Sequence, residues 1–249
     1  MSESDAFEAL NTGAHSNILV LCDHASNRVP HAVNGGSLGI SEADMNRHIA
    51  YDIGARETAL LIAEALKAPM LASRFSRLVI DPNRGEDDPT ILMKIYDHTI
   101  VEGNRHADAA EKQRRIEAYH RPYHAAIDAA LAKVTARGEI PVMISIHSYT
   151  PQLNGRPKRP WHIGVLWDDD ARIPVPLLEK LRENREITVG DNEPYSGELR
   201  GDTMYFHATK NGYPHVLIEL RHDLIATPEG QAKWAAILAK PLAEIIATL

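Results

Sequence analysis

Two histidines in this chain each follow a short apolar run, His24 in LCDHASN and His147 in ISIHSYT. Two imidazoles and one carboxylate, with a fourth position left for water, are a common donor set for catalytic zinc. Rigid strand ends hold such donors close to the geometry they need. Glu219 lies inside a third apolar run, VLIELR. A carboxylate there is costly unless it is paired or bound to metal. Arg221 is its plain partner by sequence, and the sharper reading makes Glu219 the general base that activates a water. A fourth apolar run leads into DPNR, Asp81–Arg84. Arg84 suits a bidentate grip on a carboxylate. The same four residues also read as a structural turn, with Pro82 fixing the backbone and Arg84 paired to Asp81.

The elements that position these residues follow from periodicity and breakers. Asn17–Cys22, Arg77–Ile80, Pro141–Ile146, Trp161–Trp167 and His215–Leu220 read as strands, with Glu186–Val189 as an edge strand. Asp52–Lys67, a long region over Gly103–Lys133 broken near Pro122, Val175–Asn184, Gly201–Gly212 and Pro228–Leu249 read as helical. Strands that are apolar on both faces and alternate with helices predict an α/β fold, a mostly parallel or mixed central sheet covered by helices on both faces. Ligands in such sheets bind beyond the carboxyl ends of the strands. That singles out Asp23, His24 and Asn27; Asp81, Asn83 and Arg84; His147, Ser148 and Tyr149; and Glu219, Arg221 and Asp223.

Bulk properties narrow the function class. The 249 residues fit one domain, 1–249, with residues 1–16 expected to be loosely ordered. The formal net charge is −7 and no basic cluster stands out, which argues against a nucleic-acid partner. No run of apolar residues is long enough to span a membrane, and the polar, acidic beginning does not read as a signal peptide. The single cysteine, Cys22, fits a reducing, cytoplasmic setting.

A wider resemblance rests on an ordered series of segments: DHASNRVP, YDIGA, SRLVIDPNR, RPYHAAI, SIHSYTP, HIGVLW, EPYSG and GYPHVLIELRHDLI, covering most of residues 17–240. ISIHSYT followed by IELR resembles the zinc carboxypeptidase superfamily, and the full series resembles the N-formylglutamate amidohydrolase family. The resemblance implies a phosphorylase/hydrolase-like sandwich, one zinc ion per chain, and hydrolysis of N-formyl-L-glutamate to formate and L-glutamate, a late step of one histidine-degradation route. Its substrate would be a small acidic N-acyl amino acid. Carboxypeptidases take two zinc ligands from His-x-x-Glu, whereas the third position after His24 is Asn27, a poor ligand. A Pro/Gly-rich insertion over residues 28–41 separates His24 from the next helix, whose beginning carries Asp52. Asp52 is therefore the expected third ligand beside His24 and His147, or else a helix-start carboxylate favoured by the dipole.

The implied mechanism assigns Glu219 as base, with Asp81 the next strand-end carboxylate to test. Arg74, Arg77 and Arg84 are candidates for stabilising the oxyanion or gripping substrate carboxylates, with Arg84 foremost. Asn83, Tyr195 in EPYSG and His124 in RPYH are further candidate substrate contacts. Two alternatives stay open: a deacylase or carboxypeptidase for another N-acyl acidic amino acid, and a non-catalytic binding protein on the same fold.

Overall fold

The computed structural model describes residues 6–249. Its strands are β1 Phe7–Leu10, β2 Ile18–Cys22, β3 Met70–Ser73, β4 Ile95–Tyr96, β5 Thr99–Ile100, β6 Val142–Tyr149, β7 Ile163–Leu166, β8 Val189–Asp191 and β9 His215–Arg221. Its α-helices are α1 Glu42–Met45, α2 Ala55–Ala65, α3 Glu102–Arg105, α4 Ala109–Arg115, α5 Arg121–Thr135, α6 Pro174–Arg182, α7 Thr203–His207 and α8 Pro228–Ile246. Among the described residues, seven strands form one sheet in the order β1-β3-β2-β6-β9-β7-β8, and β4 and β5 pair separately. The pairings β3–β2–β6–β9 are parallel, as is β7–β8, while β1–β3 and β9–β7 are antiparallel. No described helix is long and apolar enough to cross a membrane.

The alternation of side chains along each strand sorts the core. Ile18, Val20 and Cys22 join Val142, Ile144, Ile146, Val216, Ile218 and Leu220 on the face covered by α2, α6 and α8. Leu19, Leu21, Met143 and Leu217 point to the other face, against α5 and α7. By the same period of two, Ser145, His147, His215 and Glu219 belong to the α5/α7 face. His147 and Glu219 are register partners across the parallel β6–β9 pair, so their side chains stand next to each other.

Three expectations need correcting. Arg77–Ile80 is not a strand. Its backbone turns, with Val79 N donating to Ser76 O and Asp81 N to Ile91 O. Leu78, Val79 and Ile80 nevertheless bury fully in a cluster with Phe75, Ile91 and Tyr119, and a buried apolar run does not by itself distinguish strand from loop. The strand is Met70–Ser73, just upstream. Residues 1–16 are not uniformly loose either: Phe7–Leu10 caps the sheet edge against β3, while residues 1–5 lie outside the described part of the chain. Within the predicted 103–133 helical region, a π-helical turn at Ile116–His120 joins α4 to α5, and Pro122 sits in the first turn of α5.

The segment from His24 to α2 depends on one glycine. Gly54 sits at φ +74°, and a Cβ there would lie 1.9 Å from Ile225 O. Substituting Gly54→Ala is expected to cost on the order of 3 kcal/mol, the sum of a left-handed backbone and a backbone clash. Chemical denaturation would measure it. A loss below ~0.5 kcal/mol, typical of neutral surface changes, would show that the Ile225 loop simply moves aside.

Candidate metal centre and active site

The carboxyl ends of β2 and β6 bring His24 and His147 together. Their ring centroids are 4.9 Å apart and nearly perpendicular, and each residue is only 2 % exposed. His147 Nδ1 lies 2.9 Å and His24 Nδ1 3.3 Å from the same oxygen, Asp52 Oδ2. Donor atoms of His24, Asp52 and His147 all fall within 4.8 Å of one another, so these three residues could hold a metal ion. Asp52 is not a cap: α2 begins after Gly54 without a side-chain cap bond. The Asp52 carboxylate faces the imidazoles and accepts from Ser148 N at 3.1 Å.

The outer nitrogens are anchored just as firmly. His24 Nε2 lies 2.7 Å from Asp81 Oδ1, and His147 Nε2 3.0 Å from Asp23 Oδ2. A carboxylate only accepts, so both Nε2 atoms carry hydrogen and donate outward. That leaves two Nδ1 lone pairs aimed at a carboxylate oxygen, an arrangement that calls for positive charge between them. Without a metal, protons supply it. Burial works against charging His147, but the hydrogen bonds and charges of Asp23 and Asp52 outweigh it and hold its pKa well above the usual range. For His24, burial and the Arg77 charge act downward and Asp81 and Asp52 act upward, with a net rise. A histidine anchored by a carboxylate on one nitrogen and open on the other is the usual form of a metal ligand.

The anchors are themselves fixed. Asp23 accepts from Tyr123 Oη (3.0 Å), Ser145 Oγ (3.0 Å) and Thr203 Oγ1 (2.8 Å). Asp81 accepts from Arg77 NH2 (2.8 Å) and Asn83 N (3.0 Å) as well as from His24. Asp81 is thereby committed to holding neighbours and is a poor reserve base. Asp23 sits directly before His24 at the end of β2, and that position was its sequence signal.

Glu219 faces the same cavity, about 150 Å³ in volume, as His24, Asp52 and His147. It is 8 % exposed, and its Oε2 is buried with no hydrogen-bond partner among the described residues. Arg221 pairs with Asp223 at 2.8 Å instead. Burial raises the Glu219 carboxyl to about 7, the two imidazoles opposing the rise and Asp52 adding to it.

Of the six proposed substrate contacts, Arg77, Asn83, Arg84 and Tyr195 line this cavity. Arg77 is engaged with Asp81 and lies 3.5 Å from Asp52 Oδ1. Arg84 is held more loosely: NH1 is 3.3 Å from Asp88, and Nε, 3.4 Å from Asp81, makes no hydrogen bond among the described residues. Tyr195 Oη accepts from Arg159, whose guanidinium sits over both the Tyr149 and Tyr195 rings. Arg74 and His124 do not line the cavity. Arg74 follows β3, its carbonyl accepting from Arg28, and His124 turns away behind Pro82. Sequence reasoning missed His48, Tyr96, Trp167 and Asp202, which do line it; Trp167 directly follows β7, and the others belong to segments that did not read as strand ends.

The model for "N-formylglutamate amidohydrolase" matches residues 16–226, a span that contains every residue of this site. The chain belongs to that family. It is 29% identical over 255 residues to the N-formylglutamate deformylase of Pseudomonas aeruginosa, covering 93% of this chain and 90% of the relative. The crystal structure of a gene product of Agrobacterium tumefaciens superposes with a TM-score of 0.91 at 34% identity, covering 98% of this chain and 95% of that one. The N-formylglutamate amidohydrolase of Ralstonia eutropha shares the fold, with a TM-score of 0.67 at 22% identity and 98% of each chain covered. The fold of this chain is thus shared with both solved structures.

Proposed function

We propose that this family member hydrolyses the amide of N-formyl-L-glutamate to formate and L-glutamate, using one zinc ion held by His24, Asp52 and His147. The observation that carries this is the convergence of both Nδ1 atoms on Asp52, with Asp81 and Asp23 behind them and the orphaned Glu219 carboxylate in the same cavity. Two imidazoles and a carboxylate are a fitting donor set for catalytic zinc. Bound there, the ion would supply Lewis acidity to the formyl carbonyl and lower the pKa of water toward ~7.

The chain's own residues do the rest. Glu219 takes a proton from the attacking water as its oxygen bonds to the formyl carbon. It returns that proton to the nitrogen as the C–N bond breaks, releasing formate and the amine. Arg84, with its underused guanidinium at the cavity wall, grips a substrate carboxylate, and Arg77 adds positive charge beside the reacting centre. Tyr195 and Asn83 supply neutral polar contacts. The reading places this chemistry in one domain and in the cytoplasm, where the buried free thiol of Cys22 would stay reduced.

One observation favours a second reading. The cavity continues past Glu219 along β9 to Leu217, Leu166 and Met204. A formyl group needs no such apolar extension, whereas a longer acyl chain would fill it. The test is product release from N-formyl, N-acetyl and longer N-acyl derivatives of glutamate and aspartate. Formate release from N-formyl-L-glutamate, abolished by a chelator and restored by zinc, is expected. Faster hydrolysis of a longer acyl derivative would move the assignment to a deacylase. No turnover of any member by zinc-loaded protein would favour the binding-protein alternative.

A further inference from the structure

A second pair of imidazoles also has its outer nitrogens anchored and its inner nitrogens turned toward each other. His124 Nε2 lies 2.9 Å from Pro82 O, and His207 Nδ1 lies 2.9 Å from Asp128 Oδ1. A peptide carbonyl only accepts. Asp128, with its side chain 71% exposed, faces His207 Nδ1 with a carboxylate oxygen, which accepts as well. Both outer nitrogens therefore carry hydrogen. The inner nitrogens, His124 Nδ1 and His207 Nε2, face each other at 2.7 Å. The rings are 17° from parallel with centroids 5.0 Å apart, a separation that puts the two nitrogens on the line between the rings. In neutral rings two lone pairs then point directly at one another.

His120 lies next to this pair, with one ring nitrogen anchored in the same way. Its Nε2 lies 2.8 Å from Arg84 O, and its Nδ1 is buried with no partner among the described residues. The residue is 5 % exposed, and its ring is 4.2 Å from that of His124. The π-helical turn Ile116–His120 leads into α5 and sets His120 and His124 one turn apart. Local π geometry of this kind recurs at functional sites. All three histidines line one open surface pocket with the carboxylates of Glu86, Asp87 and Asp128. Burial keeps each imidazole below its ordinary range, His124 down to about 3, which favours neutral rings with free lone pairs.

We infer that His124 and His207 form a second metal site, separate from the catalytic cavity and suited to a divalent transition ion. Imidazole donors select ions of the zinc, cobalt, nickel and copper group over magnesium or calcium. At metal–nitrogen bonds of ~2.0–2.1 Å the two inner nitrogens must part slightly to admit the ion. The exposed side of the pocket leaves room for water or a carboxylate to complete the shell. The site also bears on the catalytic one. Pro82 O and Arg84 O, which anchor His124 and His120, belong to the turn that carries Asp81 and Arg84.

Chelator-stripped protein, titrated with Zn2+ alone, is expected to bind two equivalents per chain. His207→Asn is expected to bind one. The Asp128→Asn change, at a side chain 71% exposed, is expected to weaken the second equivalent ~10–100-fold, the usual effect of losing a ligand's outer partner. A single equivalent in the unmodified protein would overturn the inference. So would a second equivalent retained in folded His207→Asn, or bound with unaltered affinity by Asp128→Asn.

Discussion

Replacing Glu219 by glutamine is expected to lower kcat by at least ~10²-fold, the usual contribution of a positioned acid–base group, while zinc content stays near that of the unmodified protein. The change keeps shape and removes the proton acceptor. Glu219 Oε2 has no hydrogen bond to lose among the described residues, and Arg221 is already paired with Asp223, so the substitution removes no ion pair with Arg221. The expected loss is chemical and thermal stability should hold. The pH profile gives a second readout. A base works deprotonated, so kcat/KM rises with pH as Glu219 loses its proton. Burial places that pKa at about 7, and positive charge bound by His24, Asp52 and His147 pulls it down, so the acid limb lies below about 7. Near-normal turnover by zinc-loaded Glu219→Gln would sink the mechanism. Asp81 would not inherit the role, since His24, Arg77 and Asn83 already occupy it.

The parts of the site that were legible in the sequence share a physical cause. His24, His147 and Glu219 sit in or just past apolar strands, where a polar side chain is anomalous enough to stand out. β6 and β9 then place His147 opposite Glu219 by register alone. Asp52 was reached through the resemblance, because a helix start is a sensible place for a carboxylate whether or not it binds anything. The outer carboxylates were harder. Asp23 and Asp81 look like ordinary strand-end residues until the fold brings them to 3.0 Å and 2.7 Å of the imidazoles. The Arg77–Ile80 error has the same root: full burial produces an apolar run whatever the backbone does. His124 was misplaced for the opposite reason. Its motif neighbours are near the site in space, yet α5 turns the ring to the far side of Pro82. The His120–His124–His207 group joins residues up to 87 positions apart, beyond the reach of any local pattern.

Changing Asp52→Asn is expected to weaken zinc binding by more than the ~10–100-fold typical of an outer-shell loss, with activity falling in parallel. Asp23→Asn, whose one contact with the three ligands is to the outer nitrogen of His147, should fall within that smaller range. The direction of the Asp52 effect separates two roles that the same contacts allow. As a ligand, Asp52 binds the ion directly and its removal weakens affinity. As a mere counter-ion, Asp52 would hold protons on the rings, since its charge acts upward on both the His24 and His147 pKa values. Those protons compete with metal, so zinc affinity in the unmodified protein should rise with pH. Removing a pure counter-ion would lower both pKa values, ease the competition, and leave zinc bound as tightly or more tightly near neutral pH. The two roles therefore predict opposite signs for one measurement, the zinc dissociation constant of Asp52→Asn by competition with a chromophoric chelator. Unchanged or tighter binding in that variant would remove Asp52 from the ligand set and leave His24 and His147 as the only protein ligands the arrangement supports.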